Sequence, residues 1–296
     1  MRYRFVLWGL GATYNRIFNS IKYYEVIGAI EIVAVTDNCF WQDSCIDNYS
    51  LIKPKDIVNI EYDYIVILSN KSFGGIRREL MEIGVDSRKI LSYRFLEIPN
   101  VNVDRYIQLK NSNISIVSNN CWGGILYKTL GLECLSPFKN MFLMDDEYLK
   151  LLERLTYYLS CEPILYKYMY DDSRNIEYPV LILDDILVHC NHDTDAEEAI
   201  LKWKQRNKKF NFQNIFVEMY TCSRETAEEF AQLNQYPKRI CFVPFHTENP
   251  FLMELKMYKK HHAFWETVNS NAGGGENCLK YNPVDLLTMK NCIRSK

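Results

Sequence analysis

No stretch of this chain approaches the ~20 consecutive apolar residues that span a bilayer, so no transmembrane segment is expected. It also lacks an excess of charge. Thirty-five Lys and Arg face 37 Asp and Glu, a formal net charge of −2. With a pI near 6.3 there is no global field for phosphate backbones or anionic lipid, and no nucleic-acid partner is expected. No CxxC spacing occurs among the 10 cysteines, several of which sit in or beside apolar runs as small buried hydrophobes do. Arg2 and Arg4 precede an apolar run over residues 5–12, but that run is short and enters a glycine turn, not a cleavage site. The reading is a cytoplasmic chain with reduced thiols. Internal repeats and low-complexity tracts are missing too.

What is present is ordinary globular material: 296 residues, 48 % hydrophobic and 24 % charged, a length that suits two domains. The fold class expected is α/β: an N-terminal Rossmann-like parallel sheet over residues 1–98 and a C-terminal α/β domain over 104–296. In the first part strands are expected at 4–8, 31–36 and 64–68, the last continuously apolar as doubly covered parallel strands are. Helices are expected at 13–26, with Ile17, Ile21 and Tyr24 on one face, and at 72–83, with Ile76, Leu80 and Ile83 inward. Gly84 suits the C′ position of the second helix. The largely polar stretch 97–102, with Pro99 and no helical period, reads as a linker. Beyond it, strands are expected at 114–118, 215–220 and 239–245, and a β segment at 178–189 folded at Asp184-Asp185. Helices are expected at 145–160, 195–210 and 226–233.

Three segments carry candidate chemistry. Gly9-Leu10-Gly11-Ala12-Thr13-Tyr14 joins a strand to a helix, where backbone N–H groups receive phosphate, and Asp37 ends the next strand in position to accept from a ribose hydroxyl. Tyr14 stands where a GxGxxG motif needs its third glycine, so a tight turn without ligand competes with a nucleotide or nucleotide-sugar site. Residues 84–90 are similar to the late turn of Rossmann-like domains attached to sugar-modifying proteins, an analogy of fold alone. In Ser118-Asn119-Asn120-Cys121-Trp122-Gly123-Gly124 the two glycines are expected to form an anion nest before a helix, Asn119 and Asn120 to donate, and Trp122 to offer a flat face to a sugar or base. Cys121 is weighed as a nucleophile against a buried structural thiol, and the structural reading is preferred.

The third segment, His189-Cys190-Asn191-His192-Asp193-Thr194-Asp195, ends a strand and opens a helix, with Thr194 and Glu197 read as a capping box. His192 is the candidate base, His189 and Asp185 its companions. A structural histidine ranks second, and a metal held by His189, His192 and Asp193 third, because side chains on an extended strand diverge. No metal is therefore expected. On the following helix, Trp203 turns to the core with Ala196, Ala199 and Ile200, and Arg206 stands near the buried edge as a phosphate clamp. His261-His262 after Lys259-Lys260 reads as an exposed helix end, and Gly273-Gly274-Gly275 as a mobile loop.

Four ordered blocks resemble a bacterial family: residues 118–124, Ser136-Pro137-Phe138, residues 179–192 with Asp185-Ile186, and Glu198-Ala199 with Trp203 and Arg206. Members of that family are commonly labelled exopolysaccharide biosynthesis proteins. The resemblance covers about 114–245, and its matching positions are Asn119, Asn120, Cys121, Trp122, Gly123, Asp185, His189, His192, Trp203 and Arg206. The family often has an arginine near the place of Lys209, so a second arginine clamp is not expected here. The label implies a glycan pathway. The leading expectation is a glycosyl- or acyltransferase using an activated nucleotide-sugar or acyl donor. A binding or scaffold protein of the same pathway is second, and a nicotinamide-dependent oxidoreductase third, since its intact GxGxxG is missing. Whether the protein is an enzyme and how it assembles stay open at this stage.

Overall fold

In the computed structural model, residues 1–39, 45–255 and 281–289 are described. His261, His262, Gly273, Gly274, Gly275, Cys278 and Cys292 lie outside them. The chain is mixed α/β and divides into two compact units: Met1–Asn111 with Thr129–Gly131, and Ser112–Lys128 with Leu132–Lys296. The segment 97–102, expected to be a linker, belongs inside the first unit. Ile98 and Val101 are buried there, and Tyr24 Oη both donates to the Ile98 carbonyl and accepts from the Val101 N–H.

The first unit is built on β1 (Tyr3–Trp8), β2 (Ile30–Thr36), β5 (Tyr64–Ile67) and β6 (Ile90–Ser92), a parallel sheet in the order β2-β1-β5-β6. A small antiparallel pair, β3 (Cys45–Ile46) and β4 (Tyr49–Ser50), follows β2. Helices α1 (Ala12–Val26), α2 (Phe73–Glu82) and α3 (Val103–Asn111) complete the unit. Val6, Ile65 and Ile67 are fully enclosed, as the unbroken apolar strands require. From β1 the chain passes to β2 on one side and later to β5 on the other, so strand order reverses outside the carboxyl ends of β1 and β5. That crevice is where open parallel sheets take ligands.

The second unit contains a second parallel sheet, ordered β13-β12-β11-β7: β7 (Ser115–Ser118), β11 (Ile215–Tyr220), β12 (Arg239–Val243) and β13 (Leu252–Glu254). Beside it is an antiparallel meander of β8 (Ile164–Asp171), β9 (Ile176–Leu183) and β10 (Ile186–His189). Asp184, at φ 57°, makes the turn between β9 and β10 at the place expected. The strand β8 was not expected, because Ile164, Tyr166, Tyr168 and Tyr170 are all exposed and give no buried face to read. The helices are α4 (Trp122–Thr129), α5 (Asp145–Glu153), α6 (Leu155–Ser160), α7 (Ala196–Asn207), α8 (Arg224–Ala231) and α9 (Pro283–Leu287). The single helix expected over 145–160 is broken at Arg154, whose ψ of 39° leaves the helical range. Its leucines Leu149, Leu152, Leu155 and Leu159 still share one core with Trp203 and Val217. Among the described residues no helix is long and apolar enough to cross a membrane, and no described cysteine is in a disulfide.

Candidate functional site

At the carboxyl end of β7 the chain turns through Asn119, Asn120 and Cys121 into α4. Asn119 is buried and its amide is fully engaged. Oδ1 accepts from the Tyr220 N–H at 3.0 Å and from Asn120 Nδ2 at 2.8 Å, while Nδ2 donates to the Tyr220 carbonyl at 3.0 Å. Asn120 Oδ1 accepts the Trp122 N–H at 2.8 Å, and its Nδ2 also reaches Glu218 Oε1 at 3.1 Å. The two asparagines expected to meet a ligand instead stitch the loop to β11 and cap α4.

Gly123 and Gly124 lie within α4, not before it, and both are buried. The Gly123 N–H donates to Ser118 Oγ at 3.2 Å. A Cβ on Gly123 would stand 2.8 Å from Ser118 Oγ and 2.9 Å from Ile116 Cγ2; one on Gly124 would stand 3.1 Å from Lys139 Cγ. Gly123 lets the helix lie tightly on β7 and Gly124 lets the segment at Lys139 and Asn140 close against it, and the expected anion nest is not formed. Trp122 is 1 % exposed, packed on Phe216 and Phe242, with Nε1 donating to Tyr281 Oη at 2.7 Å. It is a core residue and offers no face to a sugar.

This bracing leaves one side chain of the loop turned to reactive company. Cys121, at the head of α4, places Sγ 3.3 Å from His192 Nε2. Burial pushes the Cys121 thiol up to about 11, with the Arg174 guanidinium opposing and the Glu218 carboxyl adding. Partial burial and Arg174 push His192 below its ordinary value, with Asp193 opposing. Both shifts favour a resting thiol beside a neutral imidazole, the imidazole nitrogen lying where it can accept the sulfur's proton. Next to His192, Asp193 is buried and held by Lys202 Nζ at 2.5 Å. The cap of α7 is Asp195, which accepts the Glu198 N–H at 2.7 Å, one residue later than the expected Thr194–Glu197 box.

The remaining candidates fall elsewhere. His189 is buried, stacked on Phe142 at 4.3 Å, with Nδ1 3.5 Å from Tyr178 Oη; burial, then Lys167, lowers its pKa. It is a core histidine, which also dissolves the metal set of His189, His192 and Asp193. Asp185 sits in the β9–β10 turn, at the far end of β10 from His189, where it accepts from Tyr158 Oη at 2.7 Å and pairs with Lys150. Four residues of extended chain put it ~13 Å from His189, so it cannot orient that histidine. Arg206 Nη1 donates to the Lys139 carbonyl at 2.9 Å, a strut for the segment behind α4.

Two residues that sequence reasoning missed act on Cys121 through their charge. Glu218 is fully buried on β11; its Oε2 has no hydrogen-bond partner among the described residues, and burial raises its pKa to about 8. The signal was there: one carboxylate in an apolar strand, IFVEMY. Arg174 lies in the β8–β9 turn, which carries no motif.

In the first unit, Gly9 adopts φ 115° and donates to the Thr36 carbonyl at 2.9 Å. Asp37 accepts from the Leu10 N–H at 2.8 Å and from the Cys39 N–H at 3.0 Å. Its carboxylate braces the turn and is not held out for a ribose. Tyr14, in the place of a third glycine, is buried with Oη on Asp47 at 2.8 Å. Gly11 is exposed, nothing lies within 4 Å of a Cβ built on it, and no side chain caps α1.

Residues 92–288 match a family described as a domain of unknown function, DUF1919, and residues 1–91 match a C2185-like N-terminal family. A relative from Haemophilus influenzae (strain ATCC 51907 / DSM 11121 / KW20 / Rd), itself described as an uncharacterized protein, is 27 % identical over 137 residues. That alignment covers 46 % of this chain and 64 % of the relative's length. Among solved structures, an aspartate semialdehyde dehydrogenase II complexed with ASA from Vibrio cholerae is 12 % identical, covering 76 % of this chain and 68 % of its own. Its TM-score is 0.25, too low to relate the two folds.

Proposed function

The chain belongs to the DUF1919 family, and we propose that its second unit is a transferase that carries an acyl group on Cys121. The observation that supports this reading is the 3.3 Å approach of Cys121 Sγ to His192 Nε2 at the head of α4. Sulfur attacks the carbonyl carbon of an activated acyl donor while His192 takes the thiol proton. A C–S bond forms, the bond to the donor's leaving group breaks, and His192 returns the proton to that group. An acceptor hydroxyl then attacks the thioester, His192 removes its proton, and the thiol is restored with that proton. Acyl transfer is favoured over glycosyl transfer because a thiol–imidazole pair makes thioesters, whereas glycosyl transfer draws on carboxylates. The exopolysaccharide label of the family that residues 114–245 resemble supports a sugar hydroxyl of a surface glycan as the acceptor. With p-nitrophenyl acetate as donor, the protein should release a burst of about one p-nitrophenolate per chain. Cys121→Ser should abolish the burst; a burst that survives this substitution, or none in the unaltered protein, would leave a binding or scaffold role instead.

A second reading concerns the first unit. Its uncapped α1, the open Gly11 and the reversal of strand order between β1 and β5 support binding of a nucleotide or nucleotide-sugar phosphate at the Gly9–Gly11 turn. A ligand at 100 times its Kd raises stability by about 2.7 kcal/mol. A melting shift with nucleotide sugars that Gly11→Val removes would support it; no shift with any nucleotide would end it.

A further inference from the structure

The meander ends on β8. In the order β10-β9-β8 its far edge meets no strand among the described residues, so a row of backbone N–H and C=O groups faces outward. Such an edge is a template for another strand. Its register with β9 shifts between Leu165 and Lys167, which leaves Tyr166 as a bulge and residues 167–171 as the regular run beyond it. That run reads Lys167-Tyr168-Met169-Tyr170-Asp171. It is symmetric about Met169 in its tyrosines and opposite in charge at its two ends. Tyr168 and Tyr170 are 43 % and 51 % exposed. The Lys167 ammonium lies 5.5 Å from the Tyr166 ring and makes no ion pair among the described residues. Asp171 is held at the strand end, where it accepts from Ser173 Oγ at 2.6 Å and from Arg174 Nε at 2.7 Å. A carboxylate offers about four lone-pair sites, so a further donor finds room there.

We infer that β8 is an edge for self-association, on which a second copy of this chain pairs antiparallel about a twofold axis through Met169. In that register Lys167 stands opposite the partner's Asp171, and Asp171 opposite the partner's Lys167. Each Tyr168 faces the partner's Tyr170, and the two Met169 side chains meet at the axis. Opposite charges and aromatic rings directly across a strand pair are stabilising, and like charges are not. Centring the pair on residue 167 or 171 would set two lysines or two aspartates face to face, so the charges select the register about Met169. The twofold uses each edge once and closes, joining two meanders into one sheet without further growth. A single strand pair is a small interface, and a Kd of about 10 μM is expected.

Sedimentation equilibrium of the full-length protein, over concentrations that bracket this value, reads the association. Lys167→Asp and Asp171→Lys each set like charges opposite one another, and each should weaken the dimer about ten-fold or more. An equimolar mixture of the two variants restores opposite charges at both ends and should recover the unaltered affinity as a heterodimer. A monomer at every concentration overturns the inference, as does a dimer that Lys167→Asp leaves unweakened. A mixture that fails to associate while both variants melt like the unaltered protein also overturns it. Asp171 also fixes its turn, so if Asp171→Lys melts early the register is read with Met169→Cys instead. A short bis-maleimide should then join two copies of the peptide that spans position 169; dimers without that self-linked peptide overturn the inference.

Discussion

In the first unit β1 runs through Gly9-Leu10-Gly11 into α1, and in the second β7 runs through Asn119-Asn120-Cys121 into α4. Both turns stand at the carboxyl end of a parallel strand and open a helix. In the first, Gly11 is bare, no side chain caps the helix, and the bracing comes from Asp37 on the next strand. In the second, Asn120 and Ser118 take the leading N–H groups of the helix, Gly123 is closed against β7 and Gly124 against Lys139 and Asn140. The same topological position is therefore built in two ways. An open helix end leaves backbone N–H groups available to a ligand's negative charge. A closed one frees no backbone donor at Trp122 or Gly123 and instead presents a side chain, Cys121, to a histidine.

The contrast can be broken at His192 first. His192→Ala should lower the rate of acyl-group uptake on Cys121 by about 10²–10⁴-fold, the usual loss when a general base is removed. Stopped-flow measurement of the p-nitrophenolate burst reads it. A loss under about ten-fold would return His192 to a structural part.

Glu218 comes next. Burial holds its carboxyl at about 8 against 4.5 for the free group, so the folded chain keeps a proton that the unfolded chain releases. Its effect on stability is therefore nil below about pH 4.5, becomes increasingly unfavourable as pH rises toward about 8, and is constant above. Glu218→Gln keeps an acceptor for Asn120 and removes the titration. The substitution should raise the melting temperature relative to the unaltered protein more at about pH 9 than at pH 5, by a difference of about 2–5 kcal/mol in stability. Parallel melting curves at the two pH values would show the carboxyl to be ionised in the fold already.

The smallest effect sharpens the comparison of the turns themselves. Gly123→Ala should cost about 1–3 kcal/mol in denaturant unfolding, because the new methyl meets Ser118 and Ile116. Gly11→Ala, with open space around it, should cost less than about 1 kcal/mol. Equal costs would mean that the two helix starts are packed alike.

Three strands of each parallel sheet and the turn at Asp184 were legible in apolar runs and in turn chemistry, whereas β6 and β13, three residues each, are too short to show a pattern. The site was legible only in part. The loop 118–124 and His192 were expected to share a cleft, but the roles inside it follow from partners far along the chain. Asn119 meets Tyr220 across 101 residues and Trp122 meets Tyr281 across 159, so neither could be read as scaffold from its own neighbourhood. Asp185 looked local to His189, yet an extended strand carries four residues apart, not together. Cys121 was read as a structural thiol because nothing nearby in sequence activates it; its partner lies 71 residues away. Arg174 belongs to a hairpin whose outer strand buries no face, so hydrophobic period left it unseen.

The central claim, that Cys121 carries the transferred group, is tested most directly by trapping. The unaltered protein is mixed with p-nitrophenyl acetate, stopped in acid to preserve the thioester, digested and mapped by mass. The account predicts one acetyl group on the peptide containing Cys121, released by hydroxylamine and missing from Cys121→Ser. Acetyl found only on lysines or on other cysteines, with the Cys121 peptide unmodified, would contradict it.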